Sequence, residues 1–180
     1  MGQQPEFIDK NSELAKRADV KYKLATRIRA PFLEQAIVID RLIADIISQH
    51  FCPDEKKRTL FFSLITNGIT LSFHASINVL EKLLKLCYPD LYEKHLFRKL
   101  DTIRNFRNRI AHSMLDTSEE FLAKGYTDRI RLVVHMDGKQ KHQTITKKDI
   151  NERLGECTEV ILALVNIQKE VITRVSKNSV

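Results

Sequence analysis

The residues best suited to chemistry lie close together between positions 99 and 113. Where a solvated helix face normally carries Glu and Lys, this stretch carries amides, arginines and one histidine: Arg104, Asn105, Arg107, Asn108, Arg109 and His112. A histidine titrates near neutral pH and can transfer protons in either direction. An arginine fork suits the non-bridging oxygens of a phosphate. Together these groups could cleave the RNA backbone, where one group removes the 2′-hydroxyl proton and another protonates the leaving 5′-oxygen. This chemistry requires no metal ion.

A long helix would hold these side chains on one face. Its buried stripe is predicted from apolar residues that recur every three to four positions, namely Leu96, Leu100, Ile103, Phe106 and Ile110. Successive helical residues turn by about 100°. The residues that therefore line up opposite the stripe are Asp101, Asn105, Asn108 and His112. Arg104 is expected beside this row and Arg107 at its near edge.

The run Arg107-Asn108-Arg109-Ile110-Ala111-His112 resembles the signature of the HEPN family. That signature is an Arg, a polar residue and then a His after four to six intervening positions, near the end of a long helix. The preceding stretch from Leu71 to the Tyr88-Pro89 break is similar to what comes before the motif in several bacterial HEPN proteins. The resemblance covers residues 30–175 in architecture, and its sharp match is residues 104–115.

The resemblance implies a metal-independent endoribonuclease that serves as a toxin or an anti-phage defence effector. The implied catalytic residues are Arg107, Asn108 and His112, and the implied substrate-binding residues are Arg104, Asn105 and Arg109. One Arg and one His about 140° apart on a helix make a poor site alone. The resemblance implies a homodimer whose motif helices face each other, which would bring two copies of the pair into one cleft.

The partners implied by the resemblance are RNA and a cognate antitoxin or defence-system protein. HEPN toxins that are paired with a nucleotidyltransferase antitoxin often carry a modified Tyr two positions after the His. This chain carries Met114 there, which puts neutralisation by that route in doubt.

Other interpretations of the same residues stay open. His112 could be a histidine at a helix C-terminus, where it interacts with the helix dipole, and Arg107 or Arg109 could pair with surface acids. The chain would then be a non-catalytic HEPN module that binds a protein or a nucleotide within a defence or regulatory complex. A basic structural bundle that dimerises is a third interpretation. His74, beside Phe73 in an apolar segment, is expected to be a satisfied core histidine.

The periodicity predicts a mainly α fold, an antiparallel helical bundle in a single domain over residues 1–180. Residues 1–29 form a basic helix or arm whose Lys and Arg side chains could extend a basic groove. Pro31 is expected in the first turn of a helix that runs to Phe51. Asp54 could cap the next helix, which is interrupted near Asn67-Gly68.

The second half of the chain combines one long helix, a hairpin and a final helix. After the break at 88–90, a helix is predicted over 91–115. Alternating residues and the Asp137-Gly138 pair predict a β-hairpin over 128–146. His135 and His142 could face each other across it. Thr146 or Asp149 could cap the C-terminal helix, residues 147–176.

Composition favours an anionic partner and an intracellular setting. The net charge is +7, with 43% hydrophobic and 29% charged residues, which suits association with nucleic acid. Three widely spaced cysteines show no zinc-binding pattern and are expected to be reduced structural thiols. No cofactor, metal or membrane span is indicated, and the first residues lack the apolar run of a signal peptide. The sequence therefore predicts a cytoplasmic protein.

Overall fold

The computed structural model describes residues 10–66, 71–136 and 139–178. The chain is mainly helical and carries a small three-stranded antiparallel sheet. Its elements are α1 (Lys10–Phe51), α2 (Glu55–Phe61), a π-helical turn (Phe62–Thr66), α3 (Phe73–Cys87), a 3-10 turn (Pro89–Leu91), α4 (Lys94–His112), β1 (Met114–Leu115), α5 (Glu119–Ala123), β2 (Arg129–Met136), β3 (Lys139–Thr146) and α6 (Lys147–Asn178). None of the described helices has the length and apolar character needed to cross a membrane.

The chain divides into two compact units, and each unit combines two separate segments. The sheet unit consists of Met1–Pro31 and Arg109–Asn151, and the helical unit consists of Phe32–Asn108 and Glu152–Val180. Helices α1, α4 and α6 contribute residues to both units. The sequence shows no such division, because none of the three helices is interrupted by a linker.

The helical unit is built around apolar side chains from its long helices. In α1 the buried apolar residues of this unit include Phe32, Ile39, Ile43, Ile46 and Ile47. The equivalent residues of α3 and α6 are Ile77, Leu80, Leu84, Val160, Leu164 and Val171. Phe32 meets Phe106 of α4 edge to face, with ring centroids 4.8 Å apart. This packing keeps the apolar face of α4 buried and leaves the polar face of that helix exposed to solvent.

The sheet unit contains the predicted hairpin and one strand that was not predicted. Strands β2 and β3 pair antiparallel, from Arg129 opposite Thr146 to Met136 opposite Lys139. The predicted turn at Asp137-Gly138 lies outside the described residues. The prediction of a helix to residue 115 is wrong at its end, because β1 pairs with β2 through Met114 and Leu115 instead.

Two predicted helix caps are confirmed. The Asp54 side chain accepts a hydrogen bond from the Lys57 amide at 2.9 Å at the start of α2. At the start of α6, Thr146 and Asp149 exchange hydrogen bonds, since each side chain accepts from the other residue's backbone amide, at 3.2 and 2.8 Å. This reciprocal arrangement satisfies two donors that a helix start would otherwise leave unpaired.

Pro31 does not begin a helix, contrary to the sequence-based prediction. It lies inside the continuous helix α1, where its ring removes one backbone donor and crowds the carbonyl four residues earlier. The apolar residues on either side of Pro31, Ile28 and Phe32, are both buried. Their packing offsets the cost of a proline in the helix.

Replacing Pro31 with alanine is expected to stabilise the protein by about 1–2 kcal/mol, because the missing helical hydrogen bond is restored. Denaturant unfolding of the full chain measures this difference. Pro53→Ala is the matched control, since Pro53 lies between α1 and α2 and restricts only the unfolded chain there. A loss of stability in Pro31→Ala would contradict a helix that continues through this position.

Candidate functional site

Helix α4 presents its polar residues to solvent as the helical wheel predicted. Its buried side chains are Leu96, Phe97, Leu100, Ile103, Phe106 and Ile110. On the opposite face Asp101, Asn105, Asn108 and His112 are all exposed, as is Arg109. Arg104 and Arg107 are half-buried at the edges of this face. Burial therefore confirms the predicted row on α4.

Arg107 and Asn108 contact each other within the helical unit. The Arg107 guanidinium donates to Asn108 Oδ1 at 3.0 Å, which fixes the side-chain amide and leaves its NH2 group as a donor. Arg107 also acts on Asp40 of α1. Burial raises the pKa of the Asp40 carboxyl, and the positive charge of Arg107 partly opposes that rise. The Asp40 carboxyl is thus a partly buried acid close to the Arg107 guanidinium.

Arg104 is held by a network on the same face of the helical unit. Its Nη2 donates to Asn105 Oδ1 at 3.1 Å and lies 3.4 Å from Asp101 Oδ1. Its Nη1 contacts Nδ1 of His74 on α3. Its Nε is buried and has no hydrogen-bond partner among the described residues. Arg104 is therefore held in place by neighbouring groups of the helical unit.

His74 is exposed, so the prediction of a core histidine is wrong. Its Nδ1 atom faces Arg104, which can only donate, so Nδ1 accepts and the other ring nitrogen, Nε2, is left for a second contact. That atom lies 3.2 Å from the Asn78 side-chain amide. No sequence pattern indicates the contact between His74 and Arg104, since the two residues lie on different helices.

His112 and Arg109 lie in the sheet unit, at the end of α4. His112 is exposed, and the amide of the next residue, Ser113, donates to the Arg109 carbonyl at 3.0 Å. Arg29 of α1 donates to the Ser113 carbonyl at 3.4 Å. Burial lowers the pKa of Arg29, and its Nε has no partner among the described residues. A desolvated cation thus contacts the residue that follows the candidate histidine.

A second polar cluster in the sheet unit was not predicted. Asp116, which is 4% exposed, accepts from the Ser118 amide at 2.9 Å and lies 3.1 Å from His142 Nδ1. It also pairs with Nε of Arg131. His142 is opposite Val133 in the strand register, and His135 is opposite Gln140, so the expectation that the two histidines face each other is wrong.

Metal ligands do not cluster in the part of the chain that the structure describes. Among these residues no group of three or more His, Cys, Asp or Glu side chains is arranged to hold an ion. All three cysteines are free. Burial raises the pKa of the Cys157 thiol to about 11, so that it stays protonated at neutral pH.

Comparison of the chain with protein-family models, with curated proteins and with solved structures found no match.

Proposed function

We propose that this chain is a metal-independent endoribonuclease of the HEPN type, with an antiparallel helical bundle and a composite site at a homodimer interface. One observation carries the proposal. Arg107, Asn108 and His112 lie on the polar side of α4, with Asn108 and His112 exposed and Arg107 donating to Asn108. The apolar residues of the same helix are buried and supply its packing. The polar residues on the other side are therefore not needed to hold the helix in place. The net charge of +7 suits an RNA substrate.

The chemistry assigned to His112 is proton transfer. A neutral imidazole removes the proton from the 2′-hydroxyl, and the 2′-oxygen attacks the adjacent phosphorus. The bond to the 5′-oxygen breaks, and an imidazolium supplies the proton that this oxygen needs. The products are a 2′,3′-cyclic phosphate and a 5′-hydroxyl. A dimer would provide one His112 as the base and the other as the acid.

The chemistry assigned to Arg107 is stabilisation of negative charge. A guanidinium can donate two parallel hydrogen bonds to the non-bridging oxygens, where charge accumulates in the transition state. Asn108, whose Oδ1 is already occupied by Arg107, can donate its NH2 to phosphate or to the imidazole. Arg104, Asn105 and Arg109 would contact the flanking phosphates. In this proposal the protein acts in the cytoplasm as a toxin or defence effector, with an antitoxin or defence protein as its partner.

A second candidate is a non-catalytic HEPN module that binds a protein or nucleotide within a larger complex. Two observations in the helical unit favour it. Arg104 is already paired with Asp101 and His74, which leaves fewer of its N–H donors for a substrate. In addition, apolar side chains at the end of α1, in α2 and in the turn after α2 are exposed, namely Phe51, Leu60, Leu64 and Ile65. Exposed apolar groups of this kind can mark an interaction surface.

The first test is incubation of the purified full-length chain with labelled tRNA and single-stranded RNA in EDTA. The expected result is cleavage that leaves 2′,3′-cyclic phosphate ends, because the proposed mechanism uses the 2′-oxygen and no divalent ion. Sedimentation of the same sample measures whether it is a dimer. A folded, dimeric protein that leaves both RNAs intact would favour the interaction module and contradict the ribonuclease.

A further inference from the structure

The sheet unit contains a cleft that the proposed site on α4 does not use. Its volume is about 390 Å³, within the size range of small-ligand sites. One wall comes from α1, and the other comes from the end of α5 and the segment that follows it. The lining residues used below are Lys16, Arg17, Val20, Lys21, Leu122 and Tyr126.

The α1 wall of this cleft is positively charged. Lys16, Arg17 and Lys21 line it, against one acid, Glu13. The Glu13 carboxylate lies 3.4 Å from Arg17 Nε, and both side chains are about half exposed. An exposed pair of this kind is worth little, so an incoming anion can replace Glu13 at low cost. The cleft therefore offers positive charge to an anionic ligand.

Lys21 is the buried cation of the cleft, with only 4% of the residue exposed. Its ammonium group donates to the Tyr126 carbonyl and lies 5.1 Å from the centre of the Phe121 ring. No carboxylate of the described residues lies within ion-pair distance of it. Burial lowers the pKa of Lys21, which nearby Asp128 partly opposes. A desolvated ammonium group is stabilised when a negatively charged group comes within ion-pair distance of it.

The rest of the lining is apolar. Val20 is 62% exposed and Tyr126 is 36% exposed, and the side of the cleft opposite α1 includes Leu122 and Ala123. Inorganic phosphate would contact the cations and leave this apolar surface unused. A ligand that has both a flat, weakly polar group and a phosphate would cover both parts of the lining.

We infer that this cleft binds one nucleotide of a single-stranded RNA. The phosphate lies against Lys16 and Arg17, and the base lies against the apolar surface of Val20, Leu122 and Tyr126. The choice of an RNA strand over a free nucleotide rests on the proposed ribonuclease function. The cleft is a binding subsite, and it performs no step of the cleavage reaction.

The test measures binding by a chain that cannot consume the probe. Fluorescence anisotropy follows a short labelled single-stranded RNA, in EDTA, bound to the full-length His112→Ala variant. The cleft variant adds Lys16→Ala and Arg17→Ala. The matched control adds Lys23→Ala and Arg27→Ala instead, because these exposed cations lie on the same helix, do not line the cleft and remove the same charge.

The cleft variant is expected to raise the Kd for RNA by about tenfold or more, and the control by much less. The slope of log Kd against log salt should also fall by about 0.7 for each phosphate contact that is lost. Val20→Glu, which places a negative charge on an exposed position of the wall, is expected to weaken binding by a similar factor. Circular dichroism confirms that each variant is folded.

Equal weakening by the cleft and control variants would overturn the inference, since diffuse positive charge would then explain the affinity. ATP and GMP serve as free-nucleotide probes in a competition arm. If ATP or GMP binds tightly and the RNA does not, the cleft binds a nucleotide, but the inference that this nucleotide belongs to an RNA strand is wrong. If neither class binds, the cleft is not a nucleotide site. Failure of the ribonuclease proposal would instead show as RNA that binds the wild-type chain and stays uncut.

Discussion

Replacing His112 with alanine is expected to lower the rate of RNA cleavage by about 10²- to 10⁴-fold, which is the usual contribution of a general acid or base. His112 is exposed at the end of α4, so the substitution removes no core packing. Exposed substitutions usually change stability by less than about 0.5 kcal/mol. The loss should therefore appear in the rate of cleavage, with thermal unfolding almost unchanged.

Arg107→Ala is expected to reduce cleavage by about 10²- to 10³-fold, as removal of one oxyanion donor commonly does. Arg107→Lys should recover little of that loss, because an ammonium group cannot form the parallel pair of hydrogen bonds. Arg107→Ala also removes the positive charge that partly opposes the rise in the pKa of Asp40 caused by burial. Its stability must therefore be measured beside its activity.

Two other residues of α4 provide matched controls. His95 and Arg98 are exposed on the same helix but lie outside the proposed catalytic and substrate-binding set. His95→Ala and Arg98→Ala should keep cleavage within about twofold of wild type, since surface changes away from a site have small effects. The proposed roles are wrong if His112→Ala retains wild-type cleavage, or if the controls lose as much activity as the site variants.

Local sequence patterns predicted most of the elements because local rules control them. The apolar stripe of α4, the cap at Asp54 and the alternation of β2 each depend on a few neighbouring residues. Pro31 was misassigned because the cost of proline inside a helix, about 3 kcal/mol, can be offset by packing that the sequence does not display. Strand β1 was missed because it has only two residues and depends on a partner strand far along the chain.

Local sequence patterns likewise predict one part of the candidate site and not the other. The exposed row on α4 follows from the period of 3.6 residues per turn, and burial confirms it. The contacts of Arg104 with His74 and of Arg29 with Ser113 join residues 30 and 84 positions apart. Spacing along the chain carries no information about such pairs. The sequence could therefore predict which residues of α4 face solvent, but not which groups on other helices contact them.

Asp116→Asn is expected to lower the free energy of unfolding by about 3 kcal/mol at neutral pH. Asp116 is buried, pairs with Arg131 and accepts from the Ser118 amide. The Arg131 side chain is itself only 17% exposed. Removing one partner of a buried pair is costly because it leaves the other charge uncompensated. Asp19→Asn is the matched control, since the Asp19–Lys23 pair is well exposed and should matter little.

The pH dependence gives a second readout of the same substitution. Burial alone would raise the pKa of Asp116, but the hydrogen bonds from Ser118 and Arg131 outweigh burial and lower it. A depressed pKa stabilises the folded state at any pH above the unfolded value, and this contribution is lost as pH falls through the folded value. The difference in stability between wild type and Asp116→Asn should therefore be constant near neutrality and shrink below about pH 4.

The activity of Asp116→Asn also shows whether this residue, near the end of α4, has a structural or a catalytic role. It lies four positions after His112, and its backbone amide donates to the Arg131 carbonyl at 2.8 Å. Asp116 thus ties the chain after α4 to strand β2 within the sheet unit. Asp116→Asn should cleave RNA at nearly the wild-type rate when assayed well below its lowered unfolding temperature. If it is fully stable yet inactive, Asp116 belongs to the reaction, and the assignment of proton transfer to His112 alone is wrong.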